Sequence, residues 1–212
     1  MTELITYHAG ACGDFIRYLL VKEGSRILDN GRVENDKCFD FTRKAFDSIK
    51  ANEDIDLVIS KIKRKIKNTK LDMCPYITGH DFWVFVSRYG GGTEFFDYVD
   101  KLDISRVLYL STTTEKSLRI ATLNTMIKNQ NKGYDNYIEF IDRYGESKLE
   151  QYKNEAKIYL DSKRDCDIIL EVECIYDKEY LRNFLKNNYV SWSDTNYDVL
   201  YDYYMSKQPL SI

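Results

Sequence analysis

At 212 residues, 43% hydrophobic and 31% charged, the chain carries enough apolar material for one full core and enough charge for a wetted surface. Its formal net charge of −3 argues against a role dominated by nucleic acid or by a membrane surface. The polar start and the lack of a run of about 18 apolar residues predict a cytoplasmic protein, and five scattered cysteines (Cys12, Cys38, Cys74, Cys166, Cys174), with no CxxC and no zinc spacing, predict reduced thiols and no metal site.

Thr2 to His8 predicts a short strand, Ala9 to Asp14 a tight loop, and Phe15 to Leu20 the start of a helix. A strand feeding a glycine-bearing loop that opens into a helix aims backbone N–H groups and the positive end of the helix dipole at one point, a ready site for phosphate or sulfate. Gly10 and Gly13 predict close approach of an anion to the chain, so Ala9, Gly10, Ala11, Cys12, Gly13, Asp14 and Phe15 are the candidate anion-binding segment. No Gly-Lys-Ser/Thr follows, which sets the loop apart from a Walker A sequence and disfavours an ordinary magnesium-dependent NTPase. A plain strand-turn-helix, with the glycines serving only the turn, fits the same residues.

Asn30 to Lys37 reads as a polar turn region, and Phe41 to Lys50 has helical apolar spacing. Asp56 to Lys70 predicts an amphipathic helix with a strongly basic face, either solvated or a landing surface for an acidic partner. Pro75 to His80 predicts a strand ending at Gly-His, followed by the aromatics Phe82, Trp83 and Phe85, a Gly90-Gly91-Gly92 loop and a short helix over 94–98. Arg106 to Ser111 is the clearest buried strand; Thr112 to Thr114 then caps a helix running from Glu115 to Met126. Tyr134 to Leu160 predicts one or two amphipathic helices. Asp167 to Val172 predicts a strand, Lys178 to Asn187 a helix, and Asn196 to Lys207 a tyrosine-rich helix. Strands separated by helices predict a single α/β domain over 1–212: a mainly parallel central sheet, helices on both faces in three layers, and a helical C-terminal segment over about 178–207.

The order of these pieces resembles the sulfotransferase branch of the P-loop fold. The corresponding pieces are His8 to Phe15, Leu108 to Arg119 and Ile168 to Leu185, the last holding a strand that ends in an acidic residue. Ile77-Thr78-Gly79-His80-Asp81-Phe82, with Arg88-Tyr89-Gly90 after it, looks like the Gly-His segment of the glycosaminoglycan 2-O-sulfotransferases. The resemblance implies that loop amides bind the sulfuryl donor PAPS, or its product PAP, and that a second strand-loop-helix grips the donor's 3′-phosphate. It also implies a catalytic base at His80. The family's loop cation is absent, the first basic residue being Arg17. Ser111 and Thr112 stand where the second motif's arginine and its partner would be, with Lys116, Ser117 and Arg119 the nearest replacements.

Sulfuryl transfer needs a base for the attacking hydroxyl, donors for the anionic groups, and alignment of the reactants. The two histidines both fall at predicted C-terminal strand ends, the edge where an open parallel sheet binds ligands. His80 is therefore the candidate base and His8 a candidate donor in place of the missing lysine. Structural hydrogen bonding at a strand end is the alternative for either. Ser111, Thr112, Lys116 and Arg119 are candidates for the second phosphate, and simple helix capping is the competing account of the threonines. Cys12, at a helix start, raises a phosphatase reading, which the apolar Phe15-Ile16 between it and Arg17 disfavours. The expected activity is thus sulfuryl transfer from PAPS to a hydroxyl acceptor, a carbohydrate or small molecule. A catalytically inactive nucleotide- or phosphate-binding or interaction protein, and a nucleotide or metabolite kinase, are the alternatives.

Overall fold

A computed structural model describes residues 2–7, 10–20, 25–27, 33–35, 56–57, 59–60, 63–64, 76–80, 100–129, 150, 153–154, 156–157, 159–161, 163–190 and 192–208. In chain order these form β1 (Thr2–Tyr7), α1 (Gly13–Leu20), β2 (Ser25–Ile27), β3 (Val33–Asn35), β4 (Tyr76–His80), β5 (Ile104–Ser111), α2 (Glu115–Asn129), β6 (Ile168–Glu171), a 3-10 turn (Val172–Tyr176), α3 (Lys178–Asn188) and α4 (Tyr197–Ser206). The expected helices over 41–50 and 94–98 lie outside the described residues, as do the Gly90–Gly92 loop and most of 134–160. Of the basic stretch, the described residues 56–57, 59–60 and 63–64 are helical.

The fold is α/β. Among the described residues its main sheet has four strands in the order β4-β1-β5-β6, and every pairing between them is parallel. Leu4, Ile5, Val107, Leu108, Tyr109 and Leu110 are all buried, as expected of central strands covered on both faces. On one face Ile5, Leu108, Leu110 and Leu170 share a core with Phe15, Ile16 and Leu19 of α1 and with Leu181 and Leu185 of α3. On the other, the Tyr109 ring stacks on Tyr159 at 4.2 Å. β2 and β3 make a separate antiparallel pair. The reading of Asn30 to Lys37 as a turn misses β3, because a three-residue strand is too short to show an alternating pattern.

Two polar clasps hold the strands in register. Arg106 on β5 reaches across to Glu3 on β1 in a bidentate pair, with contacts of 2.8 and 2.9 Å. The fully buried Asp167 carboxylate accepts the Val107 N–H at 2.8 Å and the Arg164 guanidinium at 2.9 Å, tying the entry of β6 to β5. The helices start where side chains satisfy their first amides. Thr114 Oγ1 accepts the Ser117 N–H at 3.0 Å on α2, and Asp177 accepts the Tyr180 N–H at 2.9 Å on α3. The tyrosines of α4 bury one face: Tyr197, Tyr201 and Tyr204 point inward, and the Tyr204 ring stacks on Phe15 at 3.7 Å. No helix among the described residues is long and apolar enough to cross a membrane.

Candidate functional site

Because the four strands are parallel, their C-terminal ends share one edge. Tyr7 at the end of β1 pairs with His80 at the end of β4 on one side and with Leu110 of β5 on the other, and Ser111 pairs with Glu171 at the end of β6. From β1 the chain passes to β4 on one flank, then crosses to β5 on the other flank and onward to β6. The order therefore reverses beside β1, where open parallel sheets form their ligand crevice. The β1–α1 loop emerges at this reversal.

The loop has a specific backbone. Gly10 sits at φ 81° and Cys12 at φ 59°, both left-handed; for cysteine this is an uncommon state that the surroundings must hold. The Cys12 carbonyl accepts the Phe15 and Ile16 N–H groups at 3.0 and 3.2 Å, so Cys12 closes the N-terminus of α1. Behind the loop, the buried side-chain amide of Asn124 from α2 donates through Nδ2 to the Gly10 carbonyl at 2.8 Å and the Tyr176 hydroxyl at 3.0 Å, and touches the Cys12 thiol at 3.5 Å. Tyr176 lies 3.6 Å from that thiol. Burial above all holds the Tyr176 and Tyr204 phenols well above the usual tyrosine range, so both stay neutral at physiological pH.

Gly13 has a packing role beside the anion approach that its sequence context predicts. A Cβ there would lie 2.1 Å from Cδ1 of Tyr7, so the missing side chain makes room for the Tyr7 ring. The Tyr7 hydroxyl in turn donates to Asp14 at 3.0 Å, and Asp14 pairs with the buried Arg17 at 3.3 Å. Arg17, the first cation after the loop, is thus engaged with a carboxylate on its own helix.

At the β5–β6 end, one Glu171 oxygen accepts the Ser111 hydroxyl at 2.6 Å and also the Thr113 hydroxyl. The other Glu171 oxygen and the hydroxyl of Thr112 are buried with no hydrogen-bond partner. Lys116 and Arg119, on the first turns of α2, are exposed. Among the described residues no group of three or more His, Cys, Asp or Glu side chains could hold a metal ion.

The structure thus brings residues 10–15, Ser111 and Thr112 to one edge of the sheet and sets the His80 backbone directly beside Tyr7. His8 and Ala9 lie outside the described residues. Sequence reasoning missed Asn124, Tyr176 and the Glu171 clasp on Ser111 and Thr113. Glu171 was visible only as an acidic strand end. Asn124 is separated by 114 positions from the Gly10 it contacts, and no local pattern marks it. The chain matches no protein-family model, no curated protein and no solved structure.

Proposed function

We propose that the carboxyl edge of the sheet binds a phosphate- or sulfate-bearing ligand at the β1–α1 loop, and that the activity it serves is sulfuryl transfer from PAPS to a hydroxyl acceptor such as a carbohydrate. In this reading the domain is a three-layer, P-loop-like α/β fold. The observation that carries it is the register of His80 with Tyr7, which puts the one Gly-His strand end next to the loop at the topological reversal. The buried, unpartnered Thr112 hydroxyl, two residues past Leu110, offers a donor on the same edge.

The amides of residues 10–14 and the Thr112 hydroxyl would hold the donor's anionic groups, with Lys116 and Arg119 adding positive charge. PAPS supplies the activated sulfuryl group. His80 takes the proton of the attacking hydroxyl as the new S–O bond forms and the bridging S–O bond breaks, its oxygen leaving with the phosphate. His8 donates to the sulfonate oxygens.

One observation favours the second reading, binding without catalysis. Glu171 consumes the hydroxyl protons of Ser111 and Thr113, and Asp14 occupies Arg17, so these three side chains are already engaged by carboxylates rather than open to a ligand. Calorimetric titration with adenosine 3′,5′-bisphosphate, with ATP and ADP as controls, separates the readings. Micromolar binding selective for the 3′-phosphate supports the transferase, and His80→Ala should then abolish transfer while leaving that binding nearly intact. A fully active His80→Ala variant removes the base. ATP-selective binding points to a kinase, and the absence of any binding removes the anion site.

A further inference from the structure

Resting on the reading that an adenosine nucleotide binds this edge, and not on which reaction follows, we infer that Glu171 accepts a hydrogen bond from a ribose hydroxyl of that nucleotide. A carboxylate stands at each end of β6, and the fold treats the two differently. At the entry, both Asp167 oxygens are taken. Oδ1 accepts the Val107 N–H at 2.8 Å and an Arg164 guanidinium N–H at 2.9 Å, and Oδ2 accepts the Arg164 backbone N–H and its Nε–H, each at 3.1 Å. At the exit, only half of the Glu171 carboxylate is used. Its Oε1 accepts the Ser111 hydroxyl at 2.6 Å and the Thr113 hydroxyl, while Oε2 is buried with no hydrogen-bond partner among the described residues.

A bare buried carboxylate oxygen is destabilising, and native folds keep such an atom for a ligand, a reaction or a water. Local structure does not use this one: Glu171 is the N-cap of the 3-10 turn, and its side chain makes no capping hydrogen bond. Two hydroxyl donors on Oε1 fix the carboxylate, so Oε2 is held in place before a ligand arrives. A carboxylate offers lone pairs and no proton, so its partner must be a donor. A hydroxyl fits by position. Glu171 pairs with Ser111 at the end of β5, and β5 lies beside β1, so Glu171 stands two strand spacings, about 10 Å, from the end of β1. A nucleotide with its phosphate at the β1–α1 loop sets its ribose within that span. An acidic side chain that takes ribose hydroxyls is also how dinucleotide-binding parallel sheets hold their ligands at this edge. Glu171 as a whole is half-buried, so the side chain is not sealed inside the core.

The test titrates the full chain calorimetrically with adenosine 3′,5′-bisphosphate and with ADP, each against its 2′-deoxy counterpart. The nucleotide that binds should do so about tenfold or more tighter than its 2′-deoxy form, the loss expected when a charged acceptor is deprived of its donor. Glu171→Gln keeps an oxygen for Ser111 and Thr113 and places an NH2 group where the acceptor stood. It should weaken the ribonucleotide to within about twofold of the 2′-deoxy form while leaving the 2′-deoxy affinity unchanged. Equal weakening of both forms would mark a merely structural clasp and overturn the inference. The wild-type comparison needs no variant, so it decides the matter even where Glu171→Gln does not fold. Equal wild-type affinity for the two forms, as a water on Oε2 would give, overturns this inference alone, and so does a discrimination that survives in Glu171→Gln. Failure of all four nucleotides to bind overturns the function reading beneath it.

Discussion

Gly13→Ala discriminates between two roles for the same glycine. The added Cβ would lie 2.1, 2.2 and 2.3 Å from three atoms of the Tyr7 ring, against an optimal carbon–carbon separation of about 3.5–4.0 Å. The ring cannot swing aside freely: Tyr7 is 5% exposed, and its hydroxyl is tied to Asp14 at 3.0 Å. Relief therefore requires the start of α1 or the end of β1 to move by more than an ångström (about 1.5 Å at the optimal separation), an overpacking cost of about 1–3 kcal/mol. For a chain of this size each kcal/mol lowers the thermal midpoint by about 2–4 °C, so a fall of about 2–12 °C is expected. Circular dichroism melts of Gly13→Ala, Tyr7→Ala and the double variant test the contact directly. The glycine substitution should cost little once the Tyr7 ring is gone, because the two residues share one contact. An unchanged melt in Gly13→Ala with lost sulfate affinity would refute this reasoning and return the glycine to ligand approach. An equal cost in the Tyr7→Ala background would refute it as well.

Asp167→Ala leaves the Val107 N–H buried without an acceptor and strips Arg164 of its buried carboxylate partner, so urea unfolding should show a loss of about 3–5 kcal/mol. Asp167→Asn keeps an acceptor for Val107 and should lose less; equal losses in the two variants would place the whole effect in the charge. Alkali should also destabilise the fold. Burial first, then the negative charges of Asp177 and Asp202, pushes the Tyr201 phenol up to about 12, and burial likewise raises Tyr159, Tyr176, Tyr197 and Tyr204. Unfolded tyrosines lose their proton near pH 10, so this stabilisation is complete below about pH 10 and is lost as pH rises toward the folded values. The thermal midpoint should fall steadily from about pH 10 to 12, less steeply in Tyr201→Phe; a flat profile over that range would contradict the burial of these phenols.

The main strands were legible because each is a short apolar run bounded by polar or glycine residues, and β5 in particular needs no tertiary information to be recognised. The same holds for α3 and α4: Asp177 caps α3, and the spacing of Tyr197, Tyr201 and Tyr204 marks one face of α4. Such features depend on neighbours a few positions apart, and the chain writes them out in order. The strand order does not depend on neighbours of that kind. That β4 flanks β1 on one side and β5 on the other, and that the β1–α1 loop therefore opens at the reversal, is settled by pairing across about 70 and 100 positions. The partners of the candidate site belong to the same class. Gly13 in the sequence is a residue for anion approach or for a turn, and only the fold shows that it also makes the space for the Tyr7 ring. Ser111 and Thr113 read as free hydroxyls until Glu171, about 60 positions on, takes both protons. Local composition determined which segments become strands and helices, because backbone propensity and apolar periodicity act over one or two turns. Only the tertiary structure decided which polar groups meet at the sheet edge and which are already spent on one another, because those contacts form when distant segments are brought together by burial of the core.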